Sequence, residues 1–390
     1  AHGGGGEIRC LFDLGRPEEK EYVEPTMRGR VMPELIAPLY AYIGGPEEHW
    51  FAQDHAFRSG ETVAKSIVLL NDRRRSTTFS VSWQVTGDGQ VIAGGTGAST
   101  VAPAESARLQ FRFDAPSVED RTDLRVTASV STNGTTVPVR PFGLQVYPVP
   151  RQQERLLSGW VLCDPGGKTL AALREVGLTI PIISPAAQLP ADARVLAIGC
   201  NALGQVAGSQ LVSDLSQRVA AGLQVLVFEQ TAEALRRTFS LRCFTPGARR
   251  VWIRDAGHSI LRGMRNDELT NWRGGTTLAP LDGPPESLDT VQRWDRVWRC
   301  SQLGVVASIV VEKPHIGPFR SLVDTGFDLR YTPLWEVTEG AGRMVFCQLD
   351  VSGRVGRGPV ADRLLGNVVA DIETWRPRPT GIAMLVATSA

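Results

Sequence analysis

The feature that most constrains this chain is a change of hydrophobic period near its middle. Between 61 and 149 two segments alternate cleanly between apolar and polar residues. Phe79, Val81, Trp83 and Val85 fall on one face of one segment, and Leu109, Phe111 and Phe113 on one face of another. A two-residue period belongs to β-strands with one buried face. The segments 61–71, 77–86, 89–99, 107–116, 122–132 and 135–149 are therefore read as strands. Turn residues sit between them at Asn71-Asp72, Gly87-Asp88-Gly89 and Asn133-Gly134. Asn-Gly suits a type I′ hairpin, because both central residues must take positive φ. Six or seven short antiparallel strands in about 100 residues predict an immunoglobulin-like β-sandwich. Trp83 is expected to anchor its core.

Beyond residue 155 the alternation disappears. GWVLCDP, LTIPIIS, ADARVLAIGCN and LQVLVFEQ carry near-continuous apolar runs, separated by the helical stretches KTLAALREVG, NALGQVAGSQLVSDLSQRVAAG and TAEALRRTF. Strands apolar on both faces, alternating with helices, predict a parallel sheet covered by helices. GRMVFCQLDVSG reads as a further strand. Val360, Leu364, Leu365, Val368 and Val369 share a helical face in the segment after it. The organisation expected is an extended, proline-broken arm over 1–49, the sandwich over 50–150, and an α/β three-layer domain over 151–390. A Trp/Gly/Pro-rich excursion interrupts that domain at about 265–303.

Charge narrows the partners. The 42 Lys and Arg residues offset 41 Asp and Glu, for a formal charge of +1, so no bulk field draws in nucleic acid. No run approaches the ~20 apolar residues of a membrane span. The six cysteines are scattered singly, with no CxxC, and neither a zinc site nor a disulfide framework is expected. The five histidines form no ligating cluster, and no metal or other cofactor is expected. The opening AHGGGGEIRC has neither an initiator Met nor an apolar signal core. It reads as the start of a processed or trimmed chain.

Candidate chemistry lies at the carboxyl ends of the predicted parallel strands, where ligands of open α/β sheets gather. Asp164 and Lys168 belong to DPGGK, a tight turn that is neither GxGxxG nor a Walker A loop. Cys200 follows a strand in GCN, where an α/β nucleophile can sit. A working thiol also needs a base and a group to orient it, and GCNALG is not a nucleophile-elbow sequence. Glu229 ends the strand VFEQ. Glu312, in VVEKP, is the nearest thing to a second carboxylate for a glycosidase pair. Trp272, Trp294 and Trp298 sit among Arg and Asp in the excursion. They are read either as sugar-stacking faces or as anchors for a long loop.

Three stretches carry a resemblance: IGGPEEHWFAQDHAFRSGETVAKSIVLLND; LQVLVFEQ with NWRGGTTL; and EKPHIGPFRSLVDTGFDLRYTPLWEVTEGAGRMVFCQLDV. Together they resemble the C-terminal, non-barrel region of bacterial glycoside hydrolases of the β-galactosidase-like superfamily, a sandwich followed by a class I glutamine-amidotransferase-like α/β domain of flavodoxin-like type. The resemblance implies that the catalytic glutamates lie in an upstream (β/α)8 barrel. That barrel would be a separate chain, a cleaved fragment or a missing segment, and no catalytic residue carries over to this sequence. It also implies oligomerisation and a carbohydrate substrate for the whole assembly. Two alternatives stand beside it: a stand-alone carbohydrate-binding module, and a cysteine-dependent amidohydrolase using Cys200.

Overall fold

The computed structural model describes residues 8–10, 23–25, 27–150, 154–206, 214–244, 247–278 and 303–377. The chain divides into two compact units, Ala1–Val149 and Pro150–Ala390. Both are rich in β-structure.

The first unit is a two-sheet sandwich. After a helix α1 (Met27–Leu35) come β1 (Leu39–Gly44), β2 (Ala56–Arg58), β3 (Thr62–Asn71), β4 (Thr77–Gly87), β5 (Gln90–Val101), β6 (Glu105–Asp114), β7 (Thr122–Thr132), β8 (Thr135–Val137) and β9 (Phe142–Tyr147). One sheet runs β2-β9-β7-β4-β5, with β8 beside β7, and the other runs β1-β3-β6. Alternation does what the sequence demands: β4 buries Phe79, Val81 and Val85 and exposes Thr78, Ser80 and Ser82. Trp83 stacks on Phe111 across the core, with ring centroids 4.3 Å apart. The Asn133-Gly134 turn has both residues at positive φ, 44° and 79°, as a type I′ hairpin requires.

Within the span expected to be an arm, Met27–Leu35 is helical and Leu39–Gly44 is an extended strand. Leu39–Gly44 pairs along its whole length with β3, from Leu39 opposite Asn71 to Gly44 opposite Ser66. The prolines that suggested a broken segment, Pro38 and Pro46, lie just outside these six residues. They bracket the strand without removing a ladder donor from it. Leu39, Ala41 and Ile43 are buried in the sandwich core.

The second unit is built on a six-stranded sheet, β10-β11-β12-β15-β14-β13. Its strands are β10 (Trp160–Cys163), β11 (Val195–Ile198), β12 (Gln224–Val227), β13 (Phe319–Ser321), β14 (Leu334–Glu339) and β15 (Gly342–Cys347). The first four in spatial order are mutually parallel, and β14 and β13 continue the sheet antiparallel. Helices α2 (Lys168–Glu175), α3 (Leu203–Val206) with α4 (Leu215–Ala220), α5 (Ala232–Phe239) and α6 (Pro359–Thr374) follow β10, β11, β12 and β15. Every residue of β10 and β11 is buried, which explains the unbroken apolar runs. α5 starts where the Thr231 hydroxyl accepts the Ala234 amide at 3.3 Å, and it stops where Ser240 turns left-handed. α6 buries Val360, Leu364, Leu365, Val368 and Val369.

Candidate functional site

The register of the parallel strands brings Asp164, Cys200, Glu229 and Asp350 to one end of the sheet, each within three residues of a strand's last residue. Glu229 is fully buried. Its Oε1 accepts the Ser352 amide at 2.6 Å, and its Oε2 meets the Ser352 hydroxyl at 2.7 Å. Ser352 Oγ lies 3.0 Å from Thr169 Oγ1, which accepts the Cys200 amide at 2.7 Å. This chain of hydroxyls ties the ends of β11, β12 and β15 to α2. Burial, and then the nearby Asp350, push the Glu229 carboxyl up to about 8. Burial likewise raises Asp350, against the hydrogen bonds from Ser308 and the Thr277 amide and the charge of Arg354. Burial thus disfavours the charged form of both Glu229 and Asp350 at this end of the sheet.

The residues singled out in the sequence fall differently. Asp164 Oδ2 accepts the Leu170 amide at 2.8 Å, satisfying a first-turn donor of α2. Its other oxygen is buried with no hydrogen-bond partner among the described residues. Burial raises its carboxyl too. Lys168 is exposed and donates to the Thr277 carbonyl at 3.1 Å. Cys200 is 5% exposed, and burial followed by the Glu229 charge pushes its thiol well up. That is the reverse of an activated nucleophile. His258 lies at the opposite end of the sheet, 3.5 Å from Glu336, and His315 is in an exposed loop. Glu312 belongs to a separate small sheet and pairs with Arg330 and Arg242, away from Glu229. Trp272 is 5% exposed and its indole donates to the Glu268 carbonyl at 2.9 Å. Its ring anchors the excursion from within, so the sugar-stacking reading fails for this residue. Trp294 and Trp298 lie outside the described residues.

A second buried constellation escaped sequence reasoning. At the amino ends of β12 and β15, Arg343 is fully buried. It donates to Glu336 at 2.9 Å, to Asp371 on α6, and to Gln224 at 3.1 Å. Its guanidinium also packs on the Trp375 ring, 4.7 Å from the centroid. His258 Nδ1 accepts the Ile260 amide, which leaves Nε2 to donate to Glu336. Arg320 reaches Glu336 at 3.2 Å. Burial would raise the Glu336 carboxyl, but the His258 hydrogen bond and the Arg343 charge override it and hold the group down at about 2. A cavity of about 600 Å³ opens beside His258, Ser259, Glu336 and Asp371.

No family model matches the chain, and no curated protein matches it. Solved structures resemble parts of it. The CARDB domain of the PF1109 protein from Pyrococcus furiosus is 17% identical over 29% of this chain and 94% of its own, at a TM-score of 0.21. Red sea bream transglutaminase is 12% identical over 38% of this chain and 22% of its own, at 0.22. The sporulation control protein Spo0M from Bacillus subtilis is 13% identical over 36% of this chain and 56% of its own, at 0.22. At such scores the likeness assigns neither family nor function.

Proposed function

We propose that this chain is a non-catalytic accessory region of a carbohydrate-active glycoside hydrolase. In this reading the sandwich is immunoglobulin-like, and the second unit is an amidotransferase-like α/β domain without its nucleophile machinery. Hydrolysis belongs to a (β/α)8 barrel elsewhere in the assembly. This chain serves oligomerisation and the shaping of the sugar site. The resemblance of the three sequence stretches supplies the hydrolase context. The observation that supports a non-catalytic role is the use of Glu229: both of its oxygens are engaged by Ser352 in a fully buried site. A general acid or base must reach a substrate proton, and a glycosidase needs two carboxylates facing one bond. Cys200 has neither thiolate character nor an imidazole near it among the described residues.

The test is turnover by the purified chain, with chromogenic aryl glycosides and with glutamine, alone and mixed with a barrel-bearing partner. The expected result is no turnover of either substrate by the chain alone. Glycosidase or glutaminase activity that disappears in Glu229→Gln or Cys200→Ala would overturn the proposal.

A further inference from the structure

The two sheets of the sandwich end in four strands, β2 and β5 in one sheet and β1 and β6 in the other. An open edge presents unpaired backbone N–H and C=O groups, and folded proteins blunt it by shortness, proline, charge or a bulge. Three of the four ends are blunted. β2 has three residues. β1 has six and is bracketed by Pro38 and Pro46. β6 carries Glu105, Arg108, Arg112 and Asp114, all exposed. β5 is the exception. It is twelve residues long, QVIAGGTGASTV, with no charged residue and no proline. Its bulge falls near one end, at Ile92, and leaves Ala93–Val101 in unbroken register with Thr77–Val85 of β4. Among the described residues no strand pairs with its other side.

The core is thinly covered at the same flank, where β5 lies beside β6 of the opposite sheet. Trp83, Ala93, Ala107 and Leu109 pack on the core but are only partly buried. Gly95 lets the Trp83 ring lie against the strand, since a Cβ there would stand 3.0 Å from the indole nitrogen. Gly97 places no side chain over Leu109, which a Cβ would meet at 3.6 Å. An apolar rim and a row of open backbone groups thus run along one side of the sandwich.

We infer that β5 is a dimerisation edge, pairing antiparallel with β5 of a second copy of this chain about a twofold axis near Thr96. The occupant has to be an extended strand, because only a strand meets a row of alternating donors and acceptors. It has to be uncharged, because a charge brought against the rim of Trp83, Ala107 and Leu109 would lose water without gaining a partner. Among the sandwich edges β5 itself is long, uncharged and open, and every copy carries it. A twofold perpendicular to the sheet at Thr96 sets Thr96 opposite its own copy, Gly95 opposite Gly97 and Gly94 opposite Ala98. All are small and uncharged, so the strand is self-complementary as an isologous contact demands. Such a pair consumes both open edges and closes at two copies. Dimerisation through β5 gives the proposed role in oligomerisation a surface, and it rests on that role without needing the hydrolase context. Turnover by the chain would leave the dimer standing, and a monomer would leave the absence of turnover standing.

The experiment is sedimentation velocity of the full chain over a concentration series, with the variants Thr96→Lys and Thr96→Glu at an exposed position. The wild-type chain should sediment as a dimer. Each variant alone should raise the dimer dissociation constant roughly tenfold or more, because like charges then face each other across the axis. Mixed in equal amounts, the two variants should recover a dimer, which a folding defect would not allow. Far-UV circular dichroism checks the fold. Ala98→Lys, exposed on the same face of the strand, repeats the test if a Thr96 variant misfolds. Amides of 93–101 should exchange more slowly in the dimer than in the dilute monomer. A chain that stays monomeric would leave the edge to a strand of another protein and overturn the inference. An open-ended series of larger species, a dimer unchanged in the variants, or a mixture that stays monomeric would also overturn it.

Discussion

The two ends of the six-stranded sheet bury acids in opposite ways. At the carboxyl end, Glu229 is surrounded by hydroxyls and a backbone amide, with another acid nearby, and it is held up at about 8. At the amino end, Glu336 is 4% exposed yet is held down at about 2, because Arg343 and His258 meet it directly. Burial alone does not set the charge of a carboxyl group. A cation within hydrogen-bond reach does, and its absence lets desolvation win. One end of the sheet is thus a neutral hydrogen-bonded lock, and the other is an ionic one.

The largest expected effect comes from breaking the ionic lock. Arg343→Met leaves Glu336 and Asp371 buried with their cation removed, and should lower stability by about 3–5 kcal/mol. A urea unfolding series would show it as a drop in midpoint. Adding Glu336→Gln and Asp371→Asn to the same chain should recover much of the loss. No recovery would mean that Arg343 acts through packing on Trp375 rather than through charge.

Next is the neutral lock. A raised folded value means that the native state holds its proton more tightly than the unfolded chain. Glu229 thus favours folding below its ordinary value of 4.5, and that contribution is lost as pH climbs toward about 8. Over that window the stability of the wild-type chain should fall with a slope from this group of up to ~1.4 kcal/mol per pH unit. In Glu229→Gln, which preserves the contacts to Ser352, the slope should flatten. An unchanged slope would place the proton elsewhere.

Glu336 gives the opposite sign at smaller size. Its depressed value contributes stability above the ordinary 4.5 that is lost as pH falls toward about 2. Glu336→Gln should remove that acid-side loss, and should lower stability at neutral pH by ~1–3 kcal/mol, the range for losing a charged hydrogen-bond partner. The smallest effect is expected at Cys200. Cys200→Ala should cost about 1 kcal/mol by removing one buried sulfur. In the native chain the thiol should resist alkylation until the chain is unfolded. Rapid modification of native Cys200 would show a reactive thiolate and revive the amidohydrolase alternative.

Much of the frame was legible because its signals are local. The alternation in β4 and the Asn133-Gly134 turn announce the sandwich, and the fully apolar β10 and β11 announce a sheet buried on both faces. Asp164, Cys200 and Glu229 were found because a strand end is a position that sequence can mark. The strand β1 was hidden by the prolines that flank it. Ser352 and Thr169, which complete the Glu229 network, look like ordinary hydroxyl residues, and only the sheet register joins them. The Arg343 cluster left even less trace. Glu336 and Arg343 are diagonal neighbours across a hairpin, Glu336 opposite Val345 and Arg343 opposite Thr338, Asp371 comes from the last helix and His258 from a loop, and no spacing in the sequence links the four. Sequence left Trp272 open between two readings for a related reason: its neighbours are polar, but its indole turns inward to the Glu268 carbonyl, as the anchor reading requires.

The contrast between the two locks can be read in one experiment, a pH titration of the side-chain carboxyl carbons by nuclear magnetic resonance in glutamate-labelled protein. Assignments would come from Glu229→Gln and Glu336→Gln. The account predicts that the Glu229 resonance moves with a midpoint near 8 and that Glu336 stays ionised down to about 2. Two midpoints close together near the ordinary carboxyl value of 4.5 would contradict it.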